Sequence, residues 1–348
     1  MKKNILIITQ KVDINDPVLG FFHQWIAEFS KRVNNVYVIC LEKGQYDLPK
    51  NVKVFSLGKE EGISKIKYTL NFYKYIWNLR KKYDSVFVHM NQEYVLLGGI
   101  FWRIFGKKVL MWRNHPQGSF LTKISVFLSS RVFCTSKDSF TNRFNKTKIM
   151  PVGIQIAGHP SDVLRKENTI LSLGRISPVK NIETIIYAFS KMLKTKKDLK
   201  LSVVGSPTKR DIDEDYYKVL KTISSGVPKE SMDFIPGVSP DKTVDFYKSH
   251  DIFINTTTPG SFDKTILESM YFGAPCFVCQ NIWEGTEFSY LSEHFYFPFN
   301  DSEMLAKKVL AFLSMPKEDK EKLRLDASRF VSSYHGLSSL IDKIILEI

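Results

Sequence analysis

The chain has 348 residues, which at about 150 residues per domain fits two domains better than one or four. With 43% hydrophobic and 25% charged residues its composition is that of an ordinary soluble globular protein, and long disorder and fibrous repeats are excluded. The formal net charge of +14 is unevenly spread: residues 1–150 hold 25 basic and 10 acidic side chains, whereas residues 151–348 hold 25 and 26. The basic excess therefore lies wholly in the first part, and such asymmetry points to an anionic partner such as nucleic acid, a membrane surface or a phosphorylated substrate. Four cysteines (Cys40, Cys134, Cys276, Cys279) suit a reduced, cytoplasmic protein. The opening run Ile5–Thr9 is too short for a signal peptide. Val95–Phe105, the most lipid-like stretch, holds Arg103 and falls far short of the ~20 residues a spanning helix needs. The expectation is a chain that is soluble or lies on a membrane without crossing it.

In chain order, short β-branched and apolar runs predict strands at Ile5–Thr9, Val36–Leu41, Val52–Leu57, Ser85–Met90, Lys108–Trp112 and Val132–Ser136. Helical periodicity fills the gaps, as at Ile63, Ile66, Leu70, Tyr73 and Ile76–Trp77. Strands without polar alternation, each followed by a helix, indicate a parallel sheet covered on both faces. The pattern breaks over Pro151–Asn168, which reads as a linker. A second series follows at Thr169–Leu173, Lys200–Val204, Met232–Ile235, Asp251–Asn255 and Cys276–Val278. Its first helix carries one clean stripe of Ile182, Ile185, Ile186, Phe189, Met192 and Leu193. The tail from Pro316 to Ile348 is helical with a break near Tyr334-His335-Gly336. The fold class is thus α/β, two doubly wound domains in tandem, with a site expected at the carboxyl ends of the strands, between the domains.

Three segments hold more than structural content. In Gly174-Arg175-Ile176-Ser177-Pro178-Val179-Lys180-Asn181 two cations follow a strand and precede an amphipathic helix, which suits an anion site; the plainer alternative is a loop with two solvated charges. In Thr256–Glu268 a strand leads through a Gly/Ser/Thr turn into a helix that Asp263 or Ser261 can cap. The amides of Lys264, Thr265 and Ile266 would then face an anion. Glu268, a turn further on, could accept hydrogen bonds from a diol such as a ribose or be an ordinary surface glutamate. His115 directly follows a strand of the first series, where it could hydrogen-bond or exchange protons near neutral pH, or be a plain loop residue. Cys276-Phe277-Val278-Cys279 has redox-like spacing but sits in a predicted buried strand, where neighbours alternate faces. His294 and His335 have no partner at metal-ligand spacing.

Taken in order, these segments resemble the GT-B nucleotide-sugar glycosyltransferases, specifically glycosyltransferase family 4. The resemblance spans essentially the whole chain: Asp13–His23 with Gly20, Gly153 in the linker, Gly174-Arg175 with Lys180, and Leu267-Glu268-Ser269-Met270 followed by Gly273-Ala274-Pro275. It implies an acceptor-binding Rossmann-like domain over residues 1–155, a nucleotide-sugar domain over 156–333, and a closing helix over 334–348 that crosses back to the first domain. Arg175 and Lys180 would grip the donor diphosphate, the Lys264–Ile266 amides would add to that cradle, and Glu268 would hold the ribose hydroxyls. Gly20 would let the amino-terminal loop approach the phosphates, since a Cβ there would clash. His115 would touch the donor sugar. The chain departs from the family pattern at Gly260, where a glutamate that contacts the hexose is usual; Asp263 is the residue placed to take over part of that role.

The reaction so implied is hexosyl transfer from a nucleoside-diphosphate sugar to a glycan or lipid-linked acceptor, with retention of configuration and no cofactor or metal. Arg175 and Lys180 would serve where other enzymes use a metal, because charge develops on the leaving diphosphate. The Asp-x-Asp spacings of the chain overlap in Asp211-Ile212-Asp213-Glu214-Asp215, which opens a polar helix. The basic excess is assigned to the acceptor side: Ile63–Tyr83 and Ser119–Arg131 mix cations with large apolar side chains and could rest on anionic lipid, or be core-facing helices with solvated lysines. Peripheral attachment to the inner face of the cell membrane is the expectation, and nucleic acid is not expected as a partner, for no recognition module is visible. The alternatives are a non-catalytic or epimerase-type sugar-nucleotide protein of the same fold and, behind these, a basic nucleic-acid-binding protein.

Overall fold

The computed structural model describes residues 3–16, 18–155, 165–208, 210–259 and 263–348. The chain divides into two compact units, Met1–Gln155 with Gly336–Ile348, and Ile156–His335. In the first unit, β1 (Ile5–Val12), α1 (Phe21–Ser30), β2 (Val36–Lys43), β3 (Val52–Ser56), α2 (Lys65–Leu79), β4 (Ser85–His89) and α3 (Gln92–Ile104) come first. They are followed by β5 (Lys108–Trp112), α4 (Phe120–Leu128), β6 (Arg131–Cys134) and β7 (Thr147–Ile149). The second holds β8 (Lys166–Leu173), α5 (Ile182–Thr195), β9 (Lys200–Val204), α6 (Asp211–Ser224), β10 (Met232–Ile235), α7 (Pro240–Ser249), β11 (His250–Asn255), α8 (Lys264–Tyr271) and β12 (Cys276–Val278). Helices α9 (Leu291–Phe295), α10 (Ser302–Leu313) and α11 (Lys317–His335) complete it, and α12 (Leu337–Ile345) belongs to the first unit.

Both sheets are parallel throughout. The first has the order β3-β2-β1-β4-β5-β6-β7 and the second β10-β9-β8-β11-β12. Each order reverses direction once, between β1 and β4 and between β8 and β11, and these switch points open a crevice at the carboxyl ends of the strands. The strands lack polar alternation because both faces of each sheet are covered. On one face of the first sheet Phe22, Trp25, Ile26 and Phe29 of α1 pack with Leu337, Leu340, Ile341 and Ile344 of α12. On the other, Phe72, Ile76 and Leu79 of α2, Val95 and Trp102 of α3 and Val126 of α4 form a second cluster. The returning helix is seated by Gly153: its φ is +80°, and a Cβ there would lie 2.5 Å from Leu340 Cδ2 and 3.1 Å from Trp25.

Of the periodic residues read on α2, Ile76 is buried, whereas Ile66, Leu70, Tyr73 and Trp77 face solvent, at 75%, 63%, 41% and 51% exposed. The core takes a second stripe, Phe72, Ile76 and Leu79, rotated about a third of a turn away at 100° per residue. In the second unit the stripe of α5 behaves as read, with Ile182, Ile185, Ile186, Phe189 and Met192 all buried. A buried ion pair also ties that unit together: Arg324 of α11 pairs with Asp251 and donates to the carbonyls of Asp251 (2.8 Å) and Gly273 (2.9 Å). All four cysteines are buried and unbridged, and burial pushes the Cys279 thiol up to about 11, so the Cys-x-x-Cys spacing is part of the core.

Candidate functional site

The second unit places a polar pocket at the carboxyl ends of β8, β9 and β11, lined by Leu173, Gly174, Arg175, Lys180, Val204 and Asn255–Thr257 among others. Its floor is set by backbone approach. Gly174 donates to Val204 O at 2.9 Å, and a Cβ on Gly205 would lie 1.9 Å from Gly174 O, so both strand ends meet where only hydrogen fits. The chain then turns outward: Ile176 is buried while Arg175 is exposed, and the Arg175 guanidinium has no hydrogen-bond or ion-pair partner among the described residues. A single turn, Pro178–Lys180, delivers Lys180 to the same pocket. The Thr256 hydroxyl, 2.7 Å from Lys180 O and 2.9 Å from Asn181 O, fixes that turn to the end of β11.

Lys180 is paired. Its ammonium contacts the carboxylate of Asp263, the N-cap of α8, which also accepts from the Thr265 amide (3.2 Å) and from Asn255 Nδ2 (3.0 Å). Burial pushes the Asp263 carboxyl up, and the Lys180 ammonium with these donors overcomes that push and holds it at about 2. The amides expected to face an anion are thus partly engaged: Thr265 N–H goes to the Asp263 side chain and Ile266 N–H to Asp263 O at 3.2 Å. Thr265 and Ile266 are also buried. Lys264 lies on the outer side of the same turn, 3.3 Å from Glu268 Oε1. Glu268 Oε2 accepts from the buried Tyr247 hydroxyl at 3.1 Å, so one oxygen is held by a phenol and the other by an ammonium. Gly260, Ser261 and Phe262 lie outside the described residues.

Gly20 and His115 lie in the first unit. At Gly20 a Cβ would fall 2.6 Å from Asp16 O and 2.9 Å from Ile14 O. The glycine is required by the fold of its own loop. His115 is exposed, and its Nδ1 lies 3.0 Å from both the amide nitrogen and the carbonyl oxygen of Gln117. A pocket that sequence reasoning missed lies beside it, lined by Met90, Asn91, Gln92, Glu93, Arg113, Asn114 and His115 at the ends of β4 and β5. Met90 there has φ of +66°, a conformation uncommon outside glycine. Arg113 donates to Gln117 O at 2.9 Å, and Asn114 Oδ1 accepts from the Thr135 amide at 2.8 Å. The signal available in the sequence was the strand-end position of these residues, next to the sheet's switch point. Below both lies His89, fully buried and stacked on Phe22 at 3.9 Å. Among the described residues no cluster of three or more His, Cys, Asp or Glu side chains is placed to hold a metal ion.

Comparison with known proteins bears on the second unit most directly. Residues 159–328 match the family described as glycosyl transferases group 1. An alignment 144 positions long, covering 37% of this chain, is 31% identical to alpha-monoglucosyldiacylglycerol synthase of Streptococcus pneumoniae (strain ATCC BAA-255 / R6). That match spans only 31% of the relative's length. HepE from Anabaena, solved in complex with UDP and glucose, superposes with a TM-score of 0.71 at 18% identity, covering 98% of each chain. Sucrose-phosphate synthase from Thermosynechococcus elongatus gives 0.73 at 14%, covering 99% of this chain and 97% of that one. The chain therefore carries two Rossmann-like α/β domains of the GT-B fold, the second of them matching the glycosyl transferases group 1 family over residues 159–328.

Proposed function

We propose that this protein is a hexosyltransferase that moves a sugar from a nucleoside diphosphate to a glycan or lipid-linked acceptor, with retention and without a dedicated metal. The observation that carries the reading is that Arg175 and Lys180 line one pocket at the strand ends of a group 1 domain. As the bond from the anomeric carbon to the diphosphate oxygen breaks, negative charge grows on the departing phosphate. Two cations lining one pocket stabilise that charge, the kind of electrostatic stabilisation that is often the largest catalytic term. Arg175 is available as it stands. Lys180 exchanges Asp263 for the diphosphate, and Lys264 lies on the same turn. Glu268, oriented by Tyr247, accepts from the ribose hydroxyls. The acceptor hydroxyl attacks from the face the phosphate leaves, and its proton passes to the phosphate oxygen; His115 hydrogen-bonds the donor sugar.

The pneumococcal relative, an alpha-monoglucosyldiacylglycerol synthase, supports a lipid-linked acceptor, with the chain held peripherally on an anionic membrane surface. No helix among the described residues is long and apolar enough to cross a membrane. The test is transfer, or hydrolysis of the donor, by purified protein across a panel of nucleoside-diphosphate sugars that begins with UDP-glucose. Arg175→Ala or Lys180→Ala should lower turnover by about 10²-fold or more. Near-normal turnover in both variants refutes the assignment. Nucleotide-sugar binding with neither transfer nor hydrolysis on any donor favours the non-catalytic reading instead.

A further inference from the structure

The three helices on one side of the first sheet present an outward surface that is both apolar and cationic. On α2 it is the solvent-facing stripe of Ile66, Leu70, Tyr73 and Trp77 described above. On α3, Ile100 and Ile104 are 62% and 76% exposed, and on α4 Phe120 and Phe127 are 72% and 66% exposed. The patch is continuous. Tyr73 Oη donates to Leu97 O at 3.0 Å and the Trp77 ring lies 6.0 Å from that of Phe105, joining α2 to α3. Arg103 sits over the Phe127 ring at 5.3 Å, joining α3 to α4. A monomeric globular surface rarely leaves so much contiguous apolar area in water without a use for it. Charge accompanies it: from Ser64 to Arg131 the sequence holds 12 Lys and Arg against 2 Asp and Glu. Arg80 lies on the Trp77 ring at 4.0 Å, so cation and aromatic share one position, as suits the level of lipid headgroups.

We infer that the outer face of α2, α3 and α4 docks on a bilayer that bears anionic headgroups. Other occupants fit less well. A second copy of the chain would set one strongly cationic surface against another. Nucleic acid would satisfy the cations but gains nothing from exposed isoleucine and leucine, because its sequence-tolerant contacts are phosphate and base stacking. A bilayer takes both, accepting apolar side chains below the headgroups and pairing lysine and arginine with them. The surface deepens the transfer reading, and its consequence for the acceptor rests on that reading. Gln92 and Glu93, which line the pocket beside His115, begin α3, and the loop carrying Arg113–His115 leads directly into α4. The pocket therefore adjoins the docking face, and the acceptor class it favours is a membrane-resident lipid with a polar headgroup rather than a free glycan.

The experiment is flotation of purified full-length protein with vesicles of phosphatidylglycerol and phosphatidylcholine, and with phosphatidylcholine alone, at low and high salt. Ile100→Ser/Ile104→Ser is compared with a control, Ile212→Ser/Val219→Ser, which alters exposed side chains of α6. Titration with uridine diphosphate in vesicle-free buffer checks that each variant is folded. Wild type and control should float with the anionic vesicles, less at high salt, and the α3 variant should lose at least about tenfold in partitioning. No flotation of wild type with either vesicle overturns the inference, as does equal flotation of wild type and the α3 variant. A concentration-dependent dimer that the α3 variant abolishes, without vesicle binding, overturns it in favour of a second copy. Loss of flotation with uridine diphosphate binding intact leaves the transfer reading standing; flotation as expected in a protein that transfers nothing removes that reading and keeps the surface.

Discussion

Replacing Asp263 by Asn keeps an N-cap for α8 but removes the charge opposite Lys180. The size of the effect follows from the site. Only 10% of the Asp263 side chain and 19% of Lys180 is exposed, and the carboxyl sits at about 2 rather than its ordinary 3.8. At about 1.4 kcal/mol for each tenfold change in acidity, the charged form contributes about 2 kcal/mol to folding. Because the folded carboxyl is the stronger acid, that stability is present above pH of about 4 and is lost as pH falls through about 2. At neutral pH Asp263→Asn should therefore destabilise the second unit by about 2 kcal/mol, roughly 4–8 °C in Tm for a unit of this size. Lys180→Met should cost at least as much, since it leaves a buried carboxylate uncompensated. Thermal or urea denaturation of both single variants and the double variant closes a double-mutant cycle, with a coupling of about 2 kcal/mol expected. In a parallel titration Asp263→Asn should bind uridine diphosphate more tightly than wild type, because Lys180 no longer has to leave a carboxylate. Additive effects within about 0.5 kcal/mol, or weaker nucleotide binding by the Asn variant, would refute the reasoning.

Two further outcomes are expected. Burial holds the His89 imidazole down to about 3 against an ordinary 6.5, so the unfolded chain takes up a proton that the folded chain refuses. Stability should therefore be full above pH of about 6.5 and fall as pH drops toward 3, by up to about 5 kcal/mol at 1.4 kcal/mol per pH unit. His89→Phe should flatten the part of the urea midpoint's dependence between pH 4 and 7 that His89 causes, and an unchanged slope would count against a neutral buried ring. Gly205→Ala places a methyl 1.9 Å from Gly174 O, which forces the β8 and β9 ends apart at a cost of about 1–3 kcal/mol. It should lower both Tm and uridine diphosphate affinity, and an alanine variant with wild-type values of both would show that the strand ends yield freely.

Much of the architecture is local and was legible in the sequence. Apart from the three-residue β7, which the sequence reading passed over, the strands from Ile5 to Cys276 announce themselves as short runs of β-branched and apolar residues, since a parallel sheet covered on both faces has no polar side to record. The single stripe of α5 is read from spacing alone, and the cap of α8 is narrowed to Asp263 or Ser261. The candidate site is half legible: Arg175, Lys180 and Glu268 stand in order along the chain, and the pocket collects the first two of them at strand ends. The other half is not. Asp263 lies 83 residues from Lys180 and Tyr247 sits on α7 rather than on the helix of Glu268, so no spacing rule joins either pair.

What the amino-acid order alone determines, then, is where each element begins and what periodicity it carries, because capping, turns and apolar spacing act over a few residues. It leaves open which of two apolar stripes on one helix turns inward. On α2 both Phe72-Ile76-Leu79 and Ile66-Leu70-Tyr73-Trp77 satisfy helical periodicity, and only the volume available between α2 and the first sheet chose the former. The same holds for Gly20, whose missing side chain is demanded by carbonyls of its own loop. It holds too for α12, whose apolar face finds α1 nearly the whole chain away and Gly153 about half of it away. Burial is decided by neighbours distant in sequence, and so only the tertiary structure could turn the basic half of the chain into a surface with an apolar centre.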